Sequence, residues 1–214
     1  FEPTIWTRIE RAKAGETVAR DQIYRQYRKP VERFIAKGLR PGSDSEALAD
    51  DVMMIVLDPG FLRDKSRDQG RFRDLLYAVS RNTIANHRRK EGAVKRPPPS
   101  KRVGFENLGA MEPGAEDDRR DFDLFYADEV FRTALDAFRL ESQQGERPDA
   151  AIVDLYYREG LTQEEIAARL GLTVAGTNTH LDRGRKRLRK HFLETLATVS
   201  RDKEELMDEA KLLL

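Results

Sequence analysis

Apolar residues recur at three- and four-residue intervals over most of this chain, the spacing that gives an α-helix one buried stripe. The pattern runs from about Thr4 to Lys90, with interruptions at Lys37 to Asp44 and Asp58 to Gly70. Gly92 and the triple proline at 97–99 then make further helix unfavourable, because proline lacks an N–H and clashes with the preceding turn. Periodicity returns over Phe122 to Leu140, and the polar stretch Gln143 to Arg147 reads as a loop. Pro148 opens another helix, with Ile152, Leu155 and Tyr156 on one side and Gly160 at its end. Strand-type alternation is sustained nowhere. The pattern predicts an all-α chain, with two small helical domains joined by a long flexible linker.

The stretch from Leu161 to Phe192, LTQEEIAARLGLTVAGTNTHLDRGRKRLRKHF, predicts two capped helices and a tight turn. Thr162 and Glu165 have the spacing of a capping box, and Leu161 is placed to staple onto Ile166. Gly171 can take the left-handed conformation that ends a helix, and Thr173 can cap the next. So short a glycine-bearing turn suits two helices crossing steeply, as in a helix-turn-helix. On the second helix Val174, Thr177, Leu181, Leu188 and Phe192 fall in one arc with Gly184 beside it. The opposite face carries Thr179, Arg183, Lys186 and Lys190, flanked by Asn178, His180, Arg185, Arg187 and Arg189. Small polar groups near the N-terminal end and cations beyond divide base reading from phosphate holding, as a recognition helix does. A basic face alone would equally suit a solvated helix closing a bundle; the capping box, the turn and the preceding helix favour DNA reading.

A second basic face lies on the helix expected over Phe72 to Lys90. Phe72, Leu75, Leu76, Val79 and Thr83 share one side, and Arg73, Tyr77, Arg81 and Arg88 share another. Cations hold phosphates and a ring offers a stacking plane, the combination suited to single-stranded nucleic acid. Asn82, Asn86 and Arg89 add hydrogen-bonding groups. The plainer reading has Tyr77 half-buried and the arginines solvated.

Charge changes the picture only through its distribution. The 214 residues carry 39 basic and 38 acidic side chains, a net charge of +1. Ten Lys or Arg between Arg71 and Arg102 face only Asp74 and Glu91, whereas Glu112 to Glu129 holds eight acids against Arg119 and Arg120. There is no cysteine, so disulfides and thiolate zinc sites are excluded, and no apolar run suggests a membrane span or signal peptide. The three histidines lack ligand spacing, and no HExxH or phosphate-cradling glycine loop occurs, so no enzyme, cofactor or metal is expected. The expected compartment is the cytoplasm.

Taken in order, these segments resemble a bacterial sigma-70 family RNA polymerase sigma factor of the extracytoplasmic-function type. RAKAGETVARDQIYRQYRKPVERFIAKGL is similar to the opening helix pair of region 2, and GRFRDLLYAVSRNTIANHRRK to the promoter-melting helix with its Arg81-Asn82 pair. The acidic middle resembles the linker that threads the polymerase toward its RNA exit channel, and Pro148 to Phe192 resembles region 4. The resemblance implies a region 2-like domain over 1–91, a linker over 92–121, a region 4-like helix-turn-helix domain over 122–194 and a C-terminal helical extension over 195–214. It implies capture of unstacked −10 bases by Arg73, Tyr77, Arg81, Asn82, Asn86, Arg88 and Arg89. Reading of the −35 element would fall to Thr173, Gly176, Asn178, Thr179, His180, Arg183, Lys186 and Arg187. Asp50, Asp51, Met54 and Ile55 would dock on core RNA polymerase. Implied partners are the polymerase clamp and flap, promoter DNA, and an anti-sigma factor or other regulator.

The chain departs from the family at two places. Met54 and Ile55 stand where the clamp-binding helix usually carries Gln and an acid, which implies weaker docking or docking that waits on another factor or modification; packing inward after a small rotation is the alternative. Asn178 and His180 replace a usual Lys and Arg, and Asn178 can bond adenine bidentately, while a surface or phosphate role suits His180. The tail from Thr195 carries apolar residues at helical spacing that suit folding back or meeting a partner. Two other classes fit the same residues: a helix-turn-helix regulator that never touches polymerase, and an interaction protein that sequesters a sigma-binding partner.

Overall fold

The computed structural model describes residues 5–66, 71–93 and 115–200, and among them there are nine α-helices and no strand. The chain divides into two compact units, Phe1–Glu129 and Val130–Leu214. The proline-rich stretch and the tail beyond residue 200, to which the sequence assigned linker and extension, lie outside the described residues.

The first unit is built from α1 (Ile5–Lys13), α2 (Thr17–Gly38), α3 (Ser45–Val56), α4 (Pro59–Arg63) and α5 (Phe72–Ala93), with the first half of α6 (Ala115–Gln144). Gly15, with φ at 92°, makes the left-handed turn between α1 and α2. The Asp44 carboxylate accepts from the Ala47 N–H at 2.9 Å and starts α3, and Asp58 accepts from the Phe61 N–H at 3.0 Å and starts α4. Helix α4 falls inside the 58–70 interruption, because a helix of 5 residues is too short to show a periodic stripe. Ile9, Ile23, Tyr27, Val31, Ile35, Val52, Met53, Val56, Leu62, Phe72 and Leu76 form the buried core.

The second unit holds the rest of α6, then α7 (Asp149–Tyr157), α8 (Gln163–Leu170) and α9 (Val174–Val199). Phe138, Ile152, Val153, Leu155, Ile166 and Leu181 cluster at its centre, with Leu161, Leu172 and Leu188 packed against them. Helices α7 and α9 cross closely at Gly184, where an added Cβ would stand 2.7 Å from Val153 Cγ2 and 3.1 Å from the Asp149 carbonyl oxygen.

The division differs from the boundaries expected at 121 and 122. Helix α6 starts at Ala115 and runs unbroken to Gln144, so residues 115–121 are helix, and its first half belongs to the first unit. Glu116, Asp117 and Asp118 occupy its first turn, where carboxylates favour the positive end of the helix dipole. Phe122 and Tyr126 are buried, at 0% and 2% exposure, so the acidic stretch carries an apolar stripe at an i, i+4 spacing.

Candidate nucleic-acid interface

The helix-turn-helix forms through the local contacts its residues dictate. Glu165 donates its backbone N–H to Thr162 Oγ1 at 3.3 Å while its Oε2 accepts the Thr162 N–H at 2.8 Å. That backbone bond, followed by the Thr162 hydroxyl, holds the Glu165 carboxyl below its usual pKa. Gly171 takes φ 67° and ψ 30°, and Leu172 donates to the Ala167 carbonyl at 2.9 Å, which closes α8. Thr173 Oγ1 then accepts the Gly176 N–H at 3.0 Å and starts α9. A Cβ at Gly176 would sit 3.0 Å from that same hydroxyl, so glycine leaves room for the cap.

Helix α9 buries Thr177, Leu181, Gly184, Phe192 and Leu196. Leu188 is half-buried, and Val174, expected in the seam, is 40% exposed. The angular step places Val174 in the right arc, but the buried part of α9 starts only one turn later, at Thr177. On the outward face Asn178, Thr179, Arg183 and Lys186 are exposed, and Arg183 and Lys186 make no ion pair among the described residues. Thr179 donates its hydroxyl to the Ala175 carbonyl at 3.0 Å.

Two residues expected on the DNA face turn inward instead. His180 Nδ1 lies 2.7 Å from Asp149 Oδ1, and the Arg187 guanidinium bonds Asp149 Oδ2 at 2.8 Å and Glu141 Oε1 at 2.6 Å. Asp149 is 2% exposed. His191 adds a 2.6 Å contact to the other Glu141 oxygen. Arg187, with His191 second, pulls the Glu141 carboxyl down to about pKa 2. The close approach at Gly184 brings the next turn of α9 onto the start of α7, so Arg187 meets a buried carboxylate rather than solvent. Sequence reasoning missed Asp149 because an acid after a proline at a helix start looks like dipole compensation. Arg185 is also occupied: it donates to the Tyr157 hydroxyl at 2.8 Å and lies 5.3 Å from the Tyr156 ring centroid.

In the first unit, α5 buries Phe72, Leu76 and Val79 as its pattern predicts, adds Ser80 and Ile84, and leaves Leu75 and Thr83 half-buried. Its basic face is covered over part of its length by the first half of α6. Arg73 Nε is 2.9 Å from Asp123 Oδ1, and its guanidinium stands 4.7 Å from the Tyr126 ring centroid. The Tyr77 ring packs 5.6 Å from Phe34 and 6.0 Å from Phe122, and burial pushes its hydroxyl pKa up. Arg119 lies over Tyr77 at 5.8 Å and pairs with Asp74, while Arg81 is 3.9 Å from Asp118. Tyr77 is thus half-buried as in the plainer reading, but the neighbouring arginines are paired rather than solvated. Asn82 is half-buried, and Asn86, Arg88 and Arg89 are exposed. Arg88 donates through Nε to the Gly38 carbonyl at 2.9 Å, which satisfies an orphan carbonyl at the end of α2.

The four expected docking residues share α3 but have different surroundings. Asp50 accepts from Arg28 Nε at 2.8 Å and from the Tyr24 hydroxyl at 2.7 Å, and these bonds, Arg28 first, hold its pKa down. Asp51, Met54 and Ile55 line a groove of about 270 Å³ between α3 and α5, together with Asn86, His87 and Lys90. Met54 is 65% exposed, so the inward packing weighed for it does not occur; its neighbour Met53 fills the core.

Among the described residues no His, Asp or Glu cluster could hold a metal ion, and no helix is long and apolar enough to cross a membrane. No curated protein matches the chain. Residues 147–188 match the family model described as sigma-70, region 4, and cover α7, α8 and the first half of α9. The helix-turn-helix unit is therefore similar to region 4 of the sigma-70 family, which supports a promoter-binding role in transcription initiation.

Proposed function

We propose that this chain is an alternative sigma factor of the extracytoplasmic-function type, working in the bacterial cytoplasm without catalysing a reaction itself. It would bind core RNA polymerase, recognise the −35 and −10 elements, melt the promoter and direct initiation. The observation that carries this reading is the region 4 match on a helix-turn-helix whose outward face presents Asn178, Thr179, Arg183 and Lys186.

In this reading α9 enters the major groove near the −35 element, where Asn178 and Thr179 meet base edges and Arg183 and Lys186 hold phosphates. His180 and Arg187 brace α9 from behind. The region 2-like domain, residues 1–91, would place Arg73, Tyr77, Arg81 and Asn82 against unstacked −10 bases, with Asn86 and Arg89 further along α5. Melting then needs only binding energy, because each captured base stacked on an aromatic ring contributes ~1–3 kcal/mol. Asp51, Met54 and Ile55 would meet the polymerase clamp through the α3 groove, whose apolar rim favours docking assisted by a second factor or a modification. An anti-sigma factor is the natural inhibitor of such a surface.

Run-off transcription with purified core polymerase and a promoter library tests the proposal, with full-length transcripts as the expected result. Tight duplex binding by the chain alone, with no transcript when core polymerase is added, would instead identify a regulator that acts without polymerase.

A further inference from the structure

The first half of α6 reproduces, in protein form, the chemistry of a nucleic-acid single strand. Asp118, Asp121, Asp123 and Asp128 pair with Arg81, Lys37, Arg73 and Arg33 on α5 and α2. Between these carboxylates Phe122 packs edge-on against Phe34 at 5.4 Å and beside Tyr77, and Tyr126 stacks on Tyr27 at 5.8 Å with an interplanar angle of 12°. Anionic groups on cations, with flat rings laid on aromatic residues between them, is the pattern by which a protein groove holds an unpaired strand. Arg73, Tyr77 and Arg81 cannot serve α6 and a strand at once.

We propose that residues 116–128 are a built-in rival of single-stranded DNA for the α2–α5 face, so that strand capture requires this half of α6 to lift away. The inference rests on the proposed function, which makes that face the strand-binding one. The ion pairs reach solvent and are individually weak, and the two rings supply the grip; such a segment holds without being permanent. Whatever fraction of molecules has the segment lifted sets the apparent affinity for a strand; at ~10% lifted, binding is ~tenfold weaker than the open face would give.

The test uses the full chain and a fluorescently labelled random pool of single-stranded DNA at fixed salt. Three proteins are compared: wild type, the variant Asp118→Asn, Asp121→Asn, Asp123→Asn, and a control, Asp21→Asn, Glu46→Gln, Asp64→Asn, with the same charge change away from α6. The α6 variant should bind several-fold more tightly than the control, short of the ~tenfold that complete release of the segment would give. In wild type, added DNA should speed hydrogen exchange at 116–128, a readout that needs no substitution. The proposal fails if the α6 variant binds no more tightly than the control, or if bound DNA leaves exchange at 116–128 unchanged. When those failures accompany binding that Arg81→Ala weakens, the α5 face remains a strand site and only the rivalry is lost. Absence of binding by all three proteins overturns both.

Discussion

Replacing Arg187 by alanine should unfold part of the helix-turn-helix unit, whereas replacing Arg183 should leave it intact and weaken DNA binding. Both arginines lie in the basic run of α9, one turn apart, yet the Arg187 side chain is 16% exposed and bonds the buried Asp149 at 2.8 Å and Glu141 at 2.6 Å. Removing one partner of a buried pair costs ~3–5 kcal/mol, because the other charge is left without compensation. Here His180 still bonds the second oxygen of Asp149, and the Glu141 side chain, 43% exposed, can turn to water. These two effects bring the loss below that range, to ~2–3 kcal/mol. Native-state hydrogen exchange on α7 and α9 is the right assay, because a chain of two units has no single unfolding free energy. Asp149→Asn placed on top of Arg187→Ala should restore part of the loss, since it removes the stranded charge. Arg183→Ala should stay within ~0.5 kcal/mol of wild type, and should lower duplex affinity while reducing its salt slope by about 1. Wild-type exchange in Arg187→Ala, with a DNA defect matching that of Arg183→Ala, would refute the assignment.

Gly184→Val should destabilise the same unit by ~1–3 kcal/mol, since the new side chain meets Val153 and the backbone of Asp149, and Val153→Ala should recover only part of this; exchange rates in α7 check it. The Glu141 carboxyl is lowered in the folded state to about pKa 2 from its ordinary value near 4.5, so the unfolded chain binds the proton more readily. Its contribution is therefore present above about pH 5 and is lost as pH falls toward 2, a slope that Glu141→Gln should remove from acid-denaturation curves. Asn178→Ala should relax the preference at one promoter position, by ~1–3 kcal/mol of discrimination, in a duplex-binding selection; an unchanged preference would rule the contact out.

The helices were legible wherever a stripe, a cap and a breaker agreed. Thr162, Glu165, Gly171 and Thr173 act on backbone groups at most five residues away, so the turn between α8 and α9 follows from its own sequence. The core faces of α5 and α9 followed in outline from angular spacing, although α5 buries Ser80 and Ile84 more fully than Leu75 and Thr83, and Val174 is exposed because a helix end can lack a facing neighbour. Helix α4 was not legible, being too short for periodicity, and the early start of α6 was hidden by acids that looked like a solvated linker.

The amino-acid sequence by itself determined the all-helical class, the capped helix-turn-helix and the two basic faces, because these depend on local hydrogen bonds and on the 3.6-residue repeat. Tertiary structure alone decided which cations are available. Arg183 and Lys186 face solvent, Arg187 neutralises a buried carboxylate, and Arg73 and Arg81 lie against the acids of α6. A charge reads the same in any sequence, but its chemistry is set by what the fold brings within about 4 Å of it, where Coulomb attraction and desolvation compete.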